Sequence, residues 1–251
     1  GMTDELVTRG FYGACWDGRY MYFVPFNDGD GFHGRVLRYD THGLFTQANS
    51  WDAFDAGSIN GMTTIGYKGA CFDGQYVYFA PFREDSAGHG RVLRYNTQAG
   101  FKNPASWSAY DASDIDGLDN RGYVGAEHDG RYVYFIPYQK DSAYHANALR
   151  YDTQASFDDP GSWTAFNAGS IDGLNTKGYK YSAFDGRYLY MAPYHNGSSF
   201  SGYALRYDTE LIPTGSPAPT AEPTPAEIPA AGLTGITVIV LFLSLLLGFC
   251  K

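Results

Sequence analysis

One unit of 56 residues occurs four times in this chain of 251 residues, and the spacing between the copies never changes. Gly10, Gly66, Gly122 and Gly178 mark the same position in each copy. A fixed period of this length is typical of repeats that are each one supersecondary unit, too small to bury both faces alone. The chain is therefore predicted to bury its apolar side chains between successive repeats.

Each repeat is predicted to form four antiparallel strands. In repeat 2, Asp73 and Gly74 form a dipeptide that favours a two-residue type I′ hairpin turn. The strand after this turn is apolar or aromatic on both faces, which is typical of a strand sandwiched between layers. No segment of the repeat has a helical period. The predicted strands of repeat 2 are residues 66–72, 75–82, 90–97 and 106–111.

Four-stranded repeats with double-faced strands predict an all-β chain, with each repeat as one blade of a β-propeller. The favoured arrangement is a closed ring of four blades, the last of which lacks its outer strand. A larger ring of which this chain is a part is one alternative, and a β-solenoid is another. The predicted blades span about 10–65, 66–121, 122–177 and 178–210.

The C-terminal part of the chain changes character. Residues 211–231 are rich in Pro and Thr and are predicted to form an extended stalk. Residues 232–250 carry no charge and, as a helix, would be roughly 29 Å long, so they are predicted to span a membrane. A buried helix of a soluble domain is the alternative. Lys251 favours a cytoplasmic end, which puts the repeats outside the cell. Because no export signal is present, we expect the true N-terminus to be missing or replaced.

Charge and cysteine content narrow the classes of function. The formal net charge of −9 repels phosphate backbones, so nucleic acid is not an expected partner. Cys15 and Cys71 occupy one repeat position that is not Cys in the other two copies. They are predicted to be small buried apolar residues, with a disulfide between them as the alternative.

Two resemblances extend these predictions. Residues 17–23 and 37–40 resemble parts of the repeats in hemopexin-type and kelch-type propellers. This resemblance implies a propeller architecture and a recognition role. The tail resembles bacterial and archaeal C-terminal sorting signals, with a Pro/Thr spacer, an apolar span and a basic end. It implies surface anchoring, and a glycolipid-anchor signal fits the same pattern.

Three histidines recur at one repeat position: His33, His89 and His145. They are predicted to lie in the loop between the second and third strands, on the expected binding face, and are candidate ligand-binding residues. A shared metal is one interpretation, and local packing of each ring within its own turn is the other.

Two further sets of loop residues are candidates. Arg9, Arg121 and Lys177 precede the inner strand in three repeats and could face an acidic ligand. Asp114, Asp116 and Asp119 alternate along a loop with a glycine, a pattern that suits Ca²⁺. Asx turns explain the same residue pattern and are the favoured interpretation. No cofactor is therefore expected, and Ca²⁺ is the candidate if one binds.

Glu127 and His128 break the symmetry of the inner strands, where the other copies have no acidic residue. They are the candidate catalytic pair, but no nucleophile elbow, phosphate loop or zinc motif accompanies them. An enzyme is therefore the less favoured class. The sequence predicts a cell-surface, membrane-anchored propeller that acts as a binding module for a glycan or a protein. A glycosidase or lyase and a structural adhesion repeat are the alternatives, and a homo-oligomer is compatible with each.

Overall fold

The computed structural model describes residues 1–210 and 236–240, and within these residues the protein is all-β. The helical elements of this part are three short 3-10 turns, one before the fourth strand of each of the first three repeats: Ala48–Ser50, Pro104–Ser106 and Pro160–Ser162. The predicted all-β class is confirmed.

Four antiparallel sheets of four strands each follow one another along the chain, one sheet per repeat. Within every sheet the strands lie in sequence order, from an inner strand to a fourth, outer strand. The inner strands are Phe11–Trp16, Tyr67–Phe72, Tyr123–His128 and Tyr179–Phe184; the second strands are Tyr20–Pro25, Tyr76–Pro81, Tyr132–Pro137 and Tyr188–Pro193. The third strands are Arg35–Asp40, Arg91–Asn96, Asn147–Asp152 and Tyr203–Asp208; the fourth strands are Trp51–Asp55, Trp107–Asp111, Trp163–Asn167 and Ile236–Val240.

Short hairpins of two-residue strands complete the repeats. One hairpin precedes each inner strand and contacts the fourth strand of the same sheet. Two others lie in the loops between the second and third strands of repeats 2 and 3. The preceding hairpins pair Met2–Thr3 with Leu6–Val7, Ser58–Ile59 with Met62–Thr63, Asp114–Ile115 with Leu118–Asp119, and Ser170–Ile171 with Leu174–Asn175; the loop hairpins pair Arg83–Glu84 with Ala87–Gly88 and Gln139–Lys140 with Ala143–Tyr144.

The turn between the inner and second strands differs from the prediction. In repeat 2, the N–H of Asp73 donates to the carbonyl of Tyr76, so Gly74 and Gln75 are the central residues. Of these, Gly74 alone has a positive φ, of 105°. A single positive φ at the first central position is the requirement of a type II′ turn, so the type I′ prediction was wrong. Asp73 instead caps the turn, because its Oδ1 accepts from the N–H groups of Gln75 at 2.7 Å and Tyr76 at 2.6 Å.

The hydrophobic core lies between the sheets. The described residues form three buried clusters, one at each junction of repeats 1 and 2, 2 and 3, and 3 and 4. Inner strands of successive repeats lie side by side. They come so close that a Cβ added at Gly69 would lie 2.6 Å from the Cα of Gly125. This confirms the prediction that each repeat buries its faces against its neighbours.

The predicted closure of four repeats into a ring is not found. Among the described residues, no fourth cluster joins repeat 4 to repeat 1, and their inner strands do not pack as the successive ones do. Phe45 in repeat 1 is 65% exposed, whereas its counterpart Phe101 in repeat 2 is 4% exposed. The first and last sheets therefore each keep one uncovered face.

The C-terminal prediction also needs correction. Residues Ile236–Val240 pair with the third strand of repeat 4, so the fourth sheet does not lack its outer strand as predicted. These five residues belong to the segment 232–250 that was predicted to form a membrane helix. In the part of the chain that the structure describes, no helix is long and apolar enough to cross a membrane. The stalk 211–231 and the rest of the predicted span lie outside the described residues.

Cys15 and Cys71 are both buried and unbonded, as predicted. Burial is the main reason that the pKa of Cys15 rises to about 12 and that of Cys71 lies well above its ordinary value. Both thiols are therefore neutral at physiological pH, which fits their role as small apolar residues.

Candidate functional site

An arc of aromatic rings crosses the four repeats at the end of the sheets where the inner strands begin. The arc consists of Phe26, Phe82, Tyr138 and Tyr194, one from each repeat, directly after the proline that ends the second strand. Successive ring centres are 6.1, 6.0 and 6.0 Å apart. Rings at this spacing pack on one another. Phe82 is buried, at 3% exposed, whereas Phe26, Tyr138 and Tyr194 are half-buried.

Backbone hydrogen bonds hold each ring of the arc beside the inner strand of its repeat. In repeat 2 the N–H groups of Phe82 and Arg83 both donate to the carbonyl of Gly66, at 3.2 and 3.0 Å. Gly66 has a φ of 74°, and a Cβ on it would lie 1.8 Å from the carbonyl oxygen of Arg83. The same arrangement recurs at Gly10, Gly122 and Gly178. The glycine that recurs every 56 residues therefore positions the arc.

Two lysines extend over the arc, each from the second residue of its inner strand. The Nζ of Lys68 lies 3.8 Å from the ring centre of Phe82 and 4.5 Å from that of Tyr12. It also lies 5.2 and 5.3 Å from the rings of Phe26 and Tyr138. The Nζ of Lys180 lies 4.2 Å from the ring of Tyr194. We call the four rings of the arc with Lys68 and Lys180 the aromatic–lysine site.

The electrostatics of this site are unusual for an acidic protein. Among the described residues, neither Lys68 nor Lys180 forms an ion pair, although most other cations of the repeats do. The pKa of Lys68 falls to about 8, first because the ammonium is half-buried, then because Arg83 and Lys180 are positive neighbours. An anion placed here would relieve that repulsion.

The arrangement can therefore hold a ligand that has a flat apolar face and a negative group. The half-buried rings of Phe26, Tyr138 and Tyr194 offer π surfaces for the apolar face, and the two ammonium groups offer charge-assisted hydrogen bonds to a carboxylate. Sequence reasoning missed this site. The sequence does contain a signal for this site. Position 26 and its three counterparts in the other repeats are all aromatic. One other repeat position varies between copies and is occupied by Tyr12, Lys68, Val124 and Lys180.

The structure keeps His33, His89 and His145 apart, each buried in its own repeat. In repeat 2 the Nε2–H of His89 donates to the carbonyl of Ile65 at 2.8 Å, and Nδ1 accepts from the N–H of Arg91 at 3.3 Å. The other two rings make equivalent contacts. Both ring nitrogens are thus used within the fold, in line with local packing of each ring within its own turn.

Acid is expected to destabilise the protein through these rings. Burial lowers the pKa of His89 to about 3 and that of His145 to about 4. The folded state holds both rings neutral, whereas the unfolded chain protonates them below about pH 6.5. The stability that depends on these neutral rings is therefore full well above pH 6.5 and is lost as the pH falls, by about 1 kcal/mol per histidine between pH 6.5 and 5.5. Urea unfolding across this range measures the slope, which His89→Gln should flatten; an unchanged slope would contradict the assignment.

Two of the predicted loop cations, Arg9 and Arg121, form ion pairs with carboxylates of the protein. The Nη2 of Arg9 pairs with Asp30 at 2.6 Å on the surface. Arg121 pairs with Asp119 at 2.5 Å, and the two side chains are partly buried together. Lys177 is half-exposed in the loop before the last inner strand. Two of the three cations are therefore already neutralised by carboxylates of the chain.

The acidic loop of repeat 2 is held by contacts within the protein. Arg121 and Lys140 bind the carboxylate of Asp119 and hold its pKa well below the ordinary range. The Oδ2 of Asp116 accepts from the N–H of Ala165 at 2.8 Å, while Asp114 is exposed at the hairpin edge. Residues 1–210 contain no group of three His, Cys, Asp or Glu side chains arranged to hold a metal ion.

Glu127 and His128 occupy the inner strand of repeat 3 and are both half-buried. Burial raises the pKa of Glu127, whose Oε1 accepts from the hydroxyl of Ser182 at 3.1 Å. Burial lowers the pKa of His128. In the described residues, Glu127 has no hydrogen bond to a histidine or a second carboxyl group.

Comparison with known proteins adds little to this geometry. No family model matches the chain, and no curated protein is similar to it. Among solved structures, the chain resembles the extracellular domain of a protein described as a hybrid two-component system of B. thetaiotaomicron. The two are 12% identical with a TM-score of 0.43, over 80% of this chain and 21% of the other. The chain thus spans about a fifth of that protein's length, and this similarity identifies neither a fold nor a function.

Proposed function

We propose that the four sheets are successive blades of a β-propeller-type ring, and that the chain is a recognition module. Support comes from the strand order within each sheet, the inner strands lying side by side, and a core located between the sheets. Propellers bind ligands where loops converge near the inner strands. The aromatic–lysine site lies at that end, and we propose it as the binding site.

One observation carries the choice of ligand: Lys68 lies among four aromatic rings without a carboxylate partner, in a chain of net charge −9. A neutral sugar would stack on the rings but would offer no negative group to the ammonium of Lys68. A saccharide that carries carboxylates uses both, because its apolar ring face stacks on the arc while its carboxylate meets Lys68 and Lys180. The proposed ligand is therefore an acidic glycan.

Oligogalacturonate and its methyl ester form a matched pair of probes, since the ester keeps the sugar rings and removes the charge. Calorimetry is expected to show binding of the acid and a loss of about tenfold to a hundredfold with Lys68→Gln or Lys180→Gln. The control is Lys177→Gln, which removes a lysine from the sequence-predicted set and should change nothing.

The outcomes separate the parts of this proposal. Equal binding of acid and ester would reject the role of charge while keeping the aromatic surface. No binding by this pair, nor by any member of an array of acidic and neutral glycans, would reject glycan recognition. Loss of binding in Lys177→Gln alone would show that the ligand binds at the loop cations predicted from the sequence and not at the aromatic–lysine site.

We propose further that the repeats are displayed outside a cell and anchored by the C-terminal segment. The support is in the sequence, where a Pro/Thr-rich stretch precedes nineteen uncharged residues, 232–250. Pairing of Ile236–Val240 in the fourth sheet is a competing use of the same segment. Carbonate extraction of membranes from cells that make the full chain measures the outcome, and complete release into the soluble fraction would reject anchoring.

A further inference from the structure

Every junction between successive repeats joins two different faces. We call the face that a repeat turns towards the following repeat its trailing face, and the face towards the preceding repeat its leading face. The trailing face presents a Tyr of the second strand and an Arg of the third strand. In repeats 1 to 3 the leading face presents a Tyr of the third strand, a Phe of the loop after it and the Trp of the fourth strand, whereas in repeat 4 it presents the Tyr of this set, Tyr207. The leading residues are Tyr95, Phe101 and Trp107 in repeat 2, and Tyr151, Phe157 and Trp163 in repeat 3.

The contacts across these junctions repeat closely. The ring of Tyr78 lies 5.8 Å from that of Tyr151, and the ring of Tyr134 lies 5.5 Å from that of Tyr207. Arg94 stacks on the ring of Phe157 at 4.0 Å, and its Nη1 donates to the hydroxyl of Tyr151 at 3.4 Å. The ring of Tyr22 likewise lies 5.8 Å from that of Tyr95, so a tyrosine pair joins a trailing face to a leading face at all three junctions of the described chain.

Repeat 1 presents a leading face that nothing in the described chain covers. Its Tyr39, Phe45 and Trp51 pack on one another, with Trp51 4.7 Å from Tyr39 and 5.0 Å from Phe45. Phe45 is 65% exposed, whereas Phe157 at the same position of repeat 3 is 2% exposed. Leu44 beside it is also largely exposed. An apolar patch in this position is the unpartnered half of a known interface.

Repeat 4 presents the complementary half. Tyr190 occupies the position of Tyr78 and Tyr134, but it is half-exposed while they are buried. Arg206 stacks on Tyr188 at 4.2 Å, as Arg94 stacks on Tyr76, and so is placed to meet a tyrosine of a following leading face. Within the described residues, Tyr39 is the leading-face tyrosine that no tyrosine of another repeat contacts.

We infer that a second copy of this chain covers these faces, with the trailing face of repeat 4 of each copy on the leading face of repeat 1 of the other. Such a head-to-tail contact is heterologous, and it stops at two copies when the rotation closes. Two copies would bring together eight sheets, within the usual four to eight blades of propellers. The inference goes beyond the proposed function and does not depend on it.

One residue shapes the expected contact. Tyr181 of repeat 4, 68% exposed, takes the position that is Gly13, Gly69 and Gly125 in the other repeats. A side chain there keeps a following inner strand further away than repeat 2 lies from repeat 1. The junction of repeats 3 and 4 is already open at this point, because a Cβ on Gly125 would meet only Ile136 of its own repeat. The copies are therefore expected to meet mainly through their outer strands.

Oligomeric state tests this inference. The full 251-residue chain, in a non-ionic detergent that keeps its apolar tail dispersed, is examined by size exclusion with light scattering that separates protein from detergent mass. Wild type is expected at twice the 27.6 kDa of one chain. Phe45→Glu on the leading face and Tyr190→Glu on the trailing face should each give single chains. Phe200→Glu, which charges an equally exposed phenylalanine in a loop of repeat 4, should leave two copies.

Mixing the two variants provides the sharper readout. In a mixed pair, the trailing face of the Phe45→Glu chain and the leading face of the Tyr190→Glu chain are both unchanged. One of the two contacts is therefore wild type, and the mixture should recover a two-chain species. A contact between identical faces predicts instead that one variant stays paired by itself. Wild type at one copy at tens of micromolar, a ladder of larger masses, or a Phe200→Glu variant that also dissociates would each overturn the inference.

Discussion

Gly66→Ala is expected to prevent stable folding, with a loss of more than about 4 kcal/mol in the free energy of unfolding. The Cβ of an alanine here would lie 1.8 Å from the carbonyl oxygen of Arg83, which is backbone and cannot rotate away. Moving it would break the two hydrogen bonds that Phe82 and Arg83 donate to the Gly66 carbonyl. Urea unfolding followed by circular dichroism measures the loss, which approaches the whole stability of a marginal domain.

Gly74→Ala is the matched control. Gly74 also has a positive φ, but a Cβ there would meet no atom within 4 Å. Its cost is therefore conformational strain alone, about 1–3 kcal/mol. The difference between the two variants isolates the close approach that positions the aromatic arc. Equal losses would show that the left-handed conformation, and not the backbone contact, explains the repeated glycine.

The sequence predicted the fold well where local pattern decides it. Alternation of apolar residues between glycine-rich turns placed all four strands of repeat 2 to within a residue or two of Tyr67–Phe72, Tyr76–Pro81, Arg91–Asn96 and Trp107–Asp111. It could not decide ring closure. That depends on the angle between successive sheets, which small differences in side-chain volume at the junctions set, as Tyr181 in place of a glycine illustrates.

The candidate site was harder to predict because repetition hides it. Phe26 and its counterparts recur in every repeat, and a recurring aromatic residue is more simply explained as core, which is correct for Tyr78 and Trp107. Only the packing distinguishes a ring between sheets from a ring at the end of the sheets. The histidines illustrate the same difficulty, since a recurring ring such as that of His89 hydrogen bonds to the backbone through both of its nitrogens.

Trp107→Ala is expected to cost about 3–5 kcal/mol of stability. The indole is 3% exposed, stacks on Phe54 of the preceding repeat at 5.2 Å, and lies 4.7 Å from Tyr95. Its Nε1–H donates to the carbonyl of Phe101 at 2.9 Å, which an alanine leaves without that partner. Denaturant unfolding measures the loss, and a value below about 1 kcal/mol would contradict a core shared between repeats.

Trp51→Ala tests the same position in repeat 1, where the described residues place no other sheet over the indole. Trp51 makes the same local contacts, including the hydrogen bond from Nε1–H to the carbonyl of Phe45 at 2.9 Å, but no preceding sheet covers it. A single chain should therefore lose less with Trp51→Ala than with Trp107→Ala. If a second copy covers this face, the loss must grow with protein concentration, because binding that exists only in the folded state adds to stability by mass action. In a Phe45→Glu background that growth should disappear, whereas the cost of Trp107→Ala stays the same at every concentration.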